Sequence, residues 1–155
     1  MQKAEAITAI VLAAHALARV AAHDAGNEAP SAQWRALSIL SQQGGMRLGA
    51  LASASRTTQP GMTRLIGSLE KAGLVERTAD PADSRATVVN ATAAGIRALH
   101  EWRAELGATL APRFSGLSRA DWDAMERAAA ILGERSQSTA DDPTTADETT
   151  TGASE

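Results

Sequence analysis

The sequence contains no cysteine, which excludes disulfide bonds, thiolate zinc sites, iron–sulfur clusters and cysteine nucleophiles. Aromatic residues make up only 3% of the chain, and this scarcity favours helix over sheet. No unbroken apolar run approaches the roughly 20 residues that cross a bilayer. The first ten residues are too polar and too regularly spaced for a signal peptide. We therefore expect a cytoplasmic protein that does not associate with membranes.

The chain has 155 residues, of which 44% are hydrophobic, enough for a real core in one domain. Its net charge of −3 is unevenly distributed. Acidic residues dominate the C-terminal end, where no base follows Arg135, whereas residues 47–103 carry a small excess of bases. Such an excess is compatible with nucleic-acid binding, but a solvated mixed surface would look the same.

Apolar residues recur at three- and four-residue steps along most of the chain, which predicts amphipathic helices. Candidate caps and breakers set their limits: Ser31, Thr58 and the pair Ser118/Asp121 at helix starts, and glycines or prolines at the ends. The predicted helices cover residues 3–24, 31–43, 48–54, 58–72, 92–110 and 118–135. Residues 136–155 contain no large apolar side chain, and we expect a disordered acidic tail there.

Two strand-like pieces, residues 74–77 and 86–90, flank a polar stretch. They predict a β-hairpin with a tip of roughly eight residues. A helix–turn–helix followed at once by such a hairpin suits DNA, since the second helix fits the major groove and the hairpin reaches the flanking backbone. At the start of that second helix, Gln59, Thr63 and Arg64 can bond base edges or phosphates, and Gly61 permits close approach.

Four segments in this order resemble the MarR family of winged helix–turn–helix regulators. They are residues 33–40, 48–52, 59–77 and 83–95. The resemblance implies a mainly α fold with a small β-hairpin wing and with N- and C-terminal dimerisation helices. It places one domain at residues 1–135, with a DNA-binding lobe at about 31–95 and dimerisation helices at about 3–24 and 92–135.

The resemblance also implies which residues meet DNA. By this similarity Arg85 enters the minor groove, while Asp83 pairs with an arginine to shape the wing. The full set implied to contact DNA is Thr58, Gln59, Pro60, Gly61, Thr63, Arg64, Arg77, Asp83 and Arg85. The partner is double-stranded DNA, bound by a homodimer on a pseudo-palindromic operator, as expected of a bacterial repressor.

Members of this family commonly bind small aromatic or phenolic ligands, so the resemblance implies an effector site as well. Its candidate residues here are His15, Arg19, His23, Trp34 and Arg35. For each one the ordinary structural role is favoured: Trp34 as a core residue and the two histidines as partly buried helix residues. The histidines are too far apart in sequence to suggest a metal site, and no cofactor is expected.

Two other classes of function remain open from the sequence. An enzyme is one, although the chain contains no P-loop, dinucleotide fingerprint, HExxH or GxSxG motif. The other is a winged-helix dimer that binds only proteins. Salt dependence separates these classes, because a DNA binder loses affinity steeply as salt rises and a protein-only module does not bind duplex.

Overall fold

The computed structural model describes residues 2–24 and 31–137. The helices are α1 (Lys3–Asp24), α2 (Ser31–Gln43), α3 (Leu48–Ala54), α4 (Gln59–Lys71), α5 (Ala93–Leu110) and α6 (Arg119–Gln137), with a 3₁₀ turn at Ala111–Phe114. The strands are β1 (Met46–Arg47), β2 (Val75–Asp80) and β3 (Asp83–Ala91). The predicted fold class, mainly α with a small hairpin wing, is confirmed.

Side-chain caps begin the later helices where the sequence predicts them. The hydroxyl of Thr58 accepts a hydrogen bond of 3.2 Å from the amide of Gly61 and so caps α4. Ser118 and Asp121 bond reciprocally at the start of α6, where the Asp121 carboxylate accepts from the Ser118 amide at 3.0 Å. The Ser118 hydroxyl, which donates to the same carboxylate at 2.6 Å, and secondly the Ser118 amide lower the pKa of Asp121. Because cap chemistry acts within four residues, sequence alone locates these helix starts.

The wing differs from its prediction in two ways. The strands of the hairpin continue almost to the turn, which consists only of residues 81–82, so the expected eight-residue tip is wrong. The sheet also has a third strand, β1, which pairs antiparallel with β3 and gives the order β1-β3-β2. A two-residue strand carries no periodicity of its own and exists only through its pairing, so sequence analysis missed it.

The buried core joins α2, α3, α4, the hairpin and α5. Its largest fully buried side chains are Leu37, Leu51, Met62, Ile66, Leu69, Val75, Val89 and Leu99. Since α4 contributes three of these residues, its inner face is held firmly and its outer face has a defined direction. The chain forms two compact units that meet in sequence between Arg113 and Phe114, and this core belongs to the first.

The predicted tail begins two residues too early, because α6 continues through Ser136 to Gln137. The rest of that prediction, residues 138–155, lies outside the described residues, as does the helix break expected at residues 26–30. The boundaries of the single domain and its lobes stay predictions.

Helix α1 has the bounds that the sequence pattern predicts, and it is strongly apolar. By length and composition alone it could cross a membrane, and 6% of its apolar 18-residue stretch is buried within the chain. The expectation of apolar runs far below spanning length holds only for unbroken runs, because polar and charged side chains interrupt the apolar sequence of α1. The core helix of a soluble protein and a signal sequence can have the same length and composition, so this property alone assigns no role to α1.

Candidate nucleic-acid interface

The two faces of α4 separate cleanly into buried apolar and exposed polar side chains. Met62 and Ile66 are fully buried, whereas Gln59, Thr63 and Arg64 are exposed on the first two turns. The Thr63 hydroxyl donates to the Gln59 carbonyl at 2.9 Å, and Nε of Arg64 approaches the Pro60 carbonyl at 3.5 Å. The side-chain amide of Gln59 and most of the Arg64 guanidinium thus remain available for base edges or phosphates.

The turn between α3 and α4 contains a residue that sequence analysis did not single out. Arg56 is exposed and has a φ of 50°, the left-handed region that side chains disfavour. Its neighbour Ser55 is fully buried, and Nη1 of Arg35 donates to the Ser55 carbonyl at 3.1 Å. No local pattern in the sequence signals this conformation, because a distant side chain supports it.

The wing presents Arg85 near its tip. The Asp83 carboxylate accepts a hydrogen bond of 3.0 Å from the Arg85 amide, which shapes the backbone there. The Arg85 guanidinium is exposed and has no hydrogen-bond or ion-pair partner within residues 2–24 and 31–137. An unpaired arginine on a narrow hairpin suits insertion into a minor groove.

An ion-pair clamp holds the base of this tip. Nε of Arg47 lies 2.7 Å from an Asp80 oxygen, and Nη2 of Arg47 lies 4.0 Å from Asp83. The arginine predicted to pair with Asp83 is therefore Arg47, but this contact is long, and Asp80 makes the short contact. Asp80 also accepts from the Ala82 amide at 2.9 Å; this bond first, and then Arg47, lowers the pKa of Asp80. Sequence analysis missed Arg47 and Asp80, since 33 residues separate them.

We expect Arg47→Ala to raise the dissociation constant for DNA about threefold, the scale of an exposed ion pair, because the tip that carries Arg85 loosens. Asp80 is ionised throughout pH 6 to 8, and its lowered pKa keeps it ionised in more acidic solution than an ordinary aspartate, whose pKa is about 4, so the clamp weakens only when stronger acid protonates Asp80. Fluorescence anisotropy with labelled operator measures the effect. Arg97→Ala, an exposed arginine on α5, is the control; equal losses in both variants would contradict the clamp.

Arg77 is already engaged within the chain. Its Nε lies 3.3 Å from a Glu70 oxygen, so it links the end of α4 to the start of β2. Its side chain is one-third exposed. This contact gives Arg77 a part in fixing the angle between recognition helix and wing, and direct contact with DNA stays a prediction.

A cavity of about 380 Å³ lies among α1, α2 and α5 in the first unit. Of the predicted effector residues, Trp34 and Arg35 line it. The indole rings of Trp34 and Trp102 stack with centroids 5.1 Å apart and planes 11° apart. The Trp34 Nε1 atom is buried and has no partner in the described part of the chain. The cavity is also lined by Trp102 and by Ala18, Ala21, Ala22, Ser31, Ser38, Ile39, Glu105 and Leu106.

The cavity lining does not include His15, Arg19 or His23. All three are exposed, so the expectation of partly buried histidines is wrong. The side chain of His23 is 90% exposed and lies 3.3 Å from Asp24, whose pKa Arg113 first and His23 second hold low. Exposed polar side chains keep their hydration, which is a physical reason for these three residues to lie outside the apolar lining of the cavity. Sequence analysis missed Trp102, whose only signal was its helical spacing.

Comparisons with known proteins agree with this geometry. The MarR family model matches residues 30–87. An uncharacterised HTH-type transcriptional regulator of Mycobacterium bovis, Mb0904, is 35% identical over 64% of this chain and 70% of its own. RV1404 from Mycobacterium tuberculosis has a TM-score of 0.69 at 21% identity over 92% of this chain and 99% of its own. BpsR of Bordetella bronchiseptica, whose DNA binding is regulated by 6-hydroxynicotinic acid, has a TM-score of 0.53 at 22% identity over 89% and 95%.

Proposed function

Because this chain belongs to the MarR family and is a DNA-binding transcriptional regulator rather than an enzyme, we propose that it is a homodimeric repressor. In this proposal the dimer binds a pseudo-palindromic operator in the cytoplasm, and a small aromatic or phenolic ligand releases it. The rival function, a winged-helix dimer that binds only proteins, has no observation in its favour. Membership of a family of DNA-binding regulators argues against it.

The observation that carries this proposal is the pairing of two exposed basic elements on one rigid core. Helix α4 presents Gln59, Thr63 and Arg64 outward while Met62 and Ile66 anchor it. The hairpin next to it presents Arg85 without a competing partner among the described residues. A recognition helix for the major groove and a wing arginine for the minor groove are the parts that a winged-helix DNA reader needs.

The test is DNA binding under varied salt. We would footprint the DNA next to the protein's own gene and then measure the dissociation constant by anisotropy at several salt concentrations. The logarithm of affinity should fall linearly with the logarithm of salt concentration, because phosphate contacts release counterions. A scrambled duplex of equal length serves as the control. Equal affinity for both duplexes would contradict sequence-specific regulation.

The dimeric state is supported by apolar side chains that the chain leaves uncovered. Along α1, Ala21 is buried whereas Ile7, Ile10 and Val11 are at least 39% exposed on the same stripe. Helix α6 has no buried residue, and Trp122, Met125, Ile131 and Leu132 are exposed on it. A second copy of the chain would cover such faces, as exposed contiguous apolar patches usually mark interfaces.

We expect Ile10→Glu to raise the dimer dissociation constant at least about tenfold, because it forces a carboxylate into an apolar contact. Sedimentation equilibrium would show the change as a shift toward monomer. Leu12→Glu is the matched control, since Leu12 is 65% exposed but lies on another side of α1. A dimer equally weakened by both variants would argue against the stripe as the interface.

The C-terminal tail should contribute nothing to this dimer. A chain truncated after Gln137 loses five carboxylates and no base, all in residues 138–155. We expect it to remain dimeric and to bind DNA at least as tightly, because the removed charges repel phosphates. Sedimentation and anisotropy on the truncated and full chains measure both properties, and a monomeric truncation would contradict the assignment.

An effector site is supported by the cavity among α1, α2 and α5. Its volume of about 380 Å³ is at the lower end of ordinary small-molecule pockets. The stacked indoles of Trp34 and Trp102 offer an aromatic wall. BpsR shares the fold and responds to an aromatic acid. We therefore propose that this chain also responds to an aromatic ligand of that size.

A further inference from the structure

Arg35 connects the cavity with the turn of the helix–turn–helix. It lies on α2 and lines the cavity, yet its Nη1 donates a hydrogen bond of 3.1 Å to the carbonyl of Ser55. Ser55 is fully buried and directly follows the last residue of α3. One side chain therefore contacts both the space for a ligand and the backbone that leads into the recognition helix.

The turn that receives this bond needs support. Arg56 is held at a φ of 50°, which is unfavourable for a residue with a side chain. Its amide donates to Ser53 at 3.1 Å, and the Thr57 amide donates to Ala52 at 2.9 Å. The Thr57 hydroxyl reaches the Ser55 carbonyl at 3.3 Å. To these neutral bonds Arg35 adds a charged donor, which makes a stronger hydrogen bond.

The position of α4 depends on this turn. Thr58, which caps α4, comes directly after Thr57, and the exposed Gln59 and Arg64 follow on the first two turns of the helix. A change in the conformation of residues 55–57 therefore redirects the side chains that read DNA. The left-handed conformation of Arg56 is unfavourable for a residue with a side chain, so the bonds that hold this turn work against a strained backbone.

We infer that Arg35 is the positioning residue through which an anionic ligand in the cavity weakens DNA binding. The inference rests on the proposed effector-responsive function. Without ligand, the guanidinium holds the Ser55 carbonyl and keeps the turn in its DNA-reading conformation. An aromatic carboxylate in the cavity is a stronger acceptor for the guanidinium than a neutral carbonyl is, so Arg35 moves to the ligand and leaves Ser55.

The rest of the cavity suits such a ligand. The Trp34 Nε1 donor is buried without a partner among the described residues, so a ligand oxygen would relieve an unsatisfied group. The stacked rings of Trp34 and Trp102 provide an apolar surface for an aromatic ring. Glu105 also lines the cavity, but its exposure lets water and salt screen its repulsion of a carboxylate.

The test compares Arg35→Met with Arg103→Met in the full-length chain. Arg103 is a matched control because its Nη2 donates at 3.0 Å to the Ser38 hydroxyl, and Ser38 lines the same cavity. That bond does not reach the turn. Anisotropy measures the dissociation constant for the footprinted operator alone, with 6-hydroxynicotinate, and with 6-hydroxynicotinamide, its uncharged analogue. Tryptophan quenching reports binding of either probe.

We expect Arg35→Met to weaken DNA binding about tenfold without ligand, the scale of one charged hydrogen bond. The carboxylate should then weaken DNA binding of this variant by less than about twofold, because the variant lacks the bond to Ser55 through which the ligand acts. Arg103→Met should retain the affinity and the ligand response of the unaltered chain. In that unaltered chain the amide should quench tryptophan fluorescence yet leave DNA affinity within about twofold, because it lacks the charge that attracts Arg35.

Arg35→Lys is a control that distinguishes loss of the bond to Ser55 from a general folding defect. Its ammonium can still donate to the Ser55 carbonyl, so its ligand-free affinity should lie between those of the unaltered chain and Arg35→Met. Amide chemical shifts of residues 55–57 supply a readout that general destabilisation would not move. They should change when the carboxylate binds and stay constant when the amide binds.

The outcomes separate the two levels of the proposal. Unchanged ligand-free affinity in Arg35→Met, or a full ligand response in that variant, overturns the role of Arg35 and leaves the repressor function standing. If the unaltered chain binds operator and binds the carboxylate, but its DNA affinity does not change, both the effector response and the inference are overturned. If the probe does not bind, an equal loss of affinity in Arg35→Met and Arg103→Met overturns the inference by itself.

Discussion

Replacing Arg64 by Ala is expected to cost about 1–3 kcal/mol of specific DNA binding per half-site, the worth of a bidentate base contact. The effect acts twice in the proposed dimer, so the loss approaches abolition of specific binding. Gln59→Ala should behave in the same way, because both side chains lie on the exposed first turns of α4. Both variants should relax sequence preference, since base contacts are what discriminate between sequences.

Arg85→Ala should give a different signature. The proposed contact of Arg85 is with groove shape and phosphates, so its loss should weaken binding to specific and scrambled duplexes alike. The salt dependence should flatten by about one unit per half-site. Asp83→Ala should resemble a milder loss of Arg85, because Asp83 accepts from the Arg85 amide.

A competition assay with specific and scrambled duplexes at several salt concentrations distinguishes these signatures. Ser68→Ala, an exposed position further along α4, is the control for the helix. Intact binding in Gln59→Ala, Arg64→Ala and Arg85→Ala together would refute the assigned DNA contacts.

Replacing Gly95 by Ala should produce the largest loss of stability, about 3 kcal/mol in the free energy of unfolding. A Cβ atom at Gly95 would lie well inside contact distance of the Leu74 carbonyl oxygen. That oxygen accepts a hydrogen bond of 3.0 Å from the Thr92 amide, and the Thr92 hydroxyl caps α5 through the Gly95 amide. Backbone atoms cannot yield as a flexible side chain can, so the start of α5 must shift away from the hairpin.

Gly107 provides a control in the same helix. A Cβ atom there meets nothing within 4 Å, so Gly107→Ala should raise the free energy of unfolding by about 1 kcal/mol through helix propensity. Urea denaturation at one fixed protein concentration compares the variants, since dimerisation makes stability concentration-dependent. Stabilisation by both substitutions would show that the packing of Leu74 against Gly95 does not constrain the fold.

Short-range chemistry made much of this architecture predictable. The bounds of α1 and α3, and the Thr58 and Ser118 caps, follow from periodicity and bonds that span a few residues. The polar outer face of α4 could be identified for the same reason, as Gln59 and Arg64 interrupt an apolar repeat. Residue types at helical spacing are sufficient for such features whatever the rest of the chain does.

Contacts between distant residues needed the tertiary structure. Strand β1 exists only because β3 lies beside it, and the Arg47–Asp80 clamp joins residues 33 positions apart. The cavity excludes the predicted His15 and Arg19 and includes Trp102 instead, because packing of α5 against α2 stacks two tryptophans. The bond from Arg35 to Ser55 likewise depends on how α2 crosses the end of α3. Many side chains in the sequence are chemically suitable partners for each of these contacts, and the tertiary structure determines which of them lie close enough to bond. These features therefore leave no local pattern in the sequence.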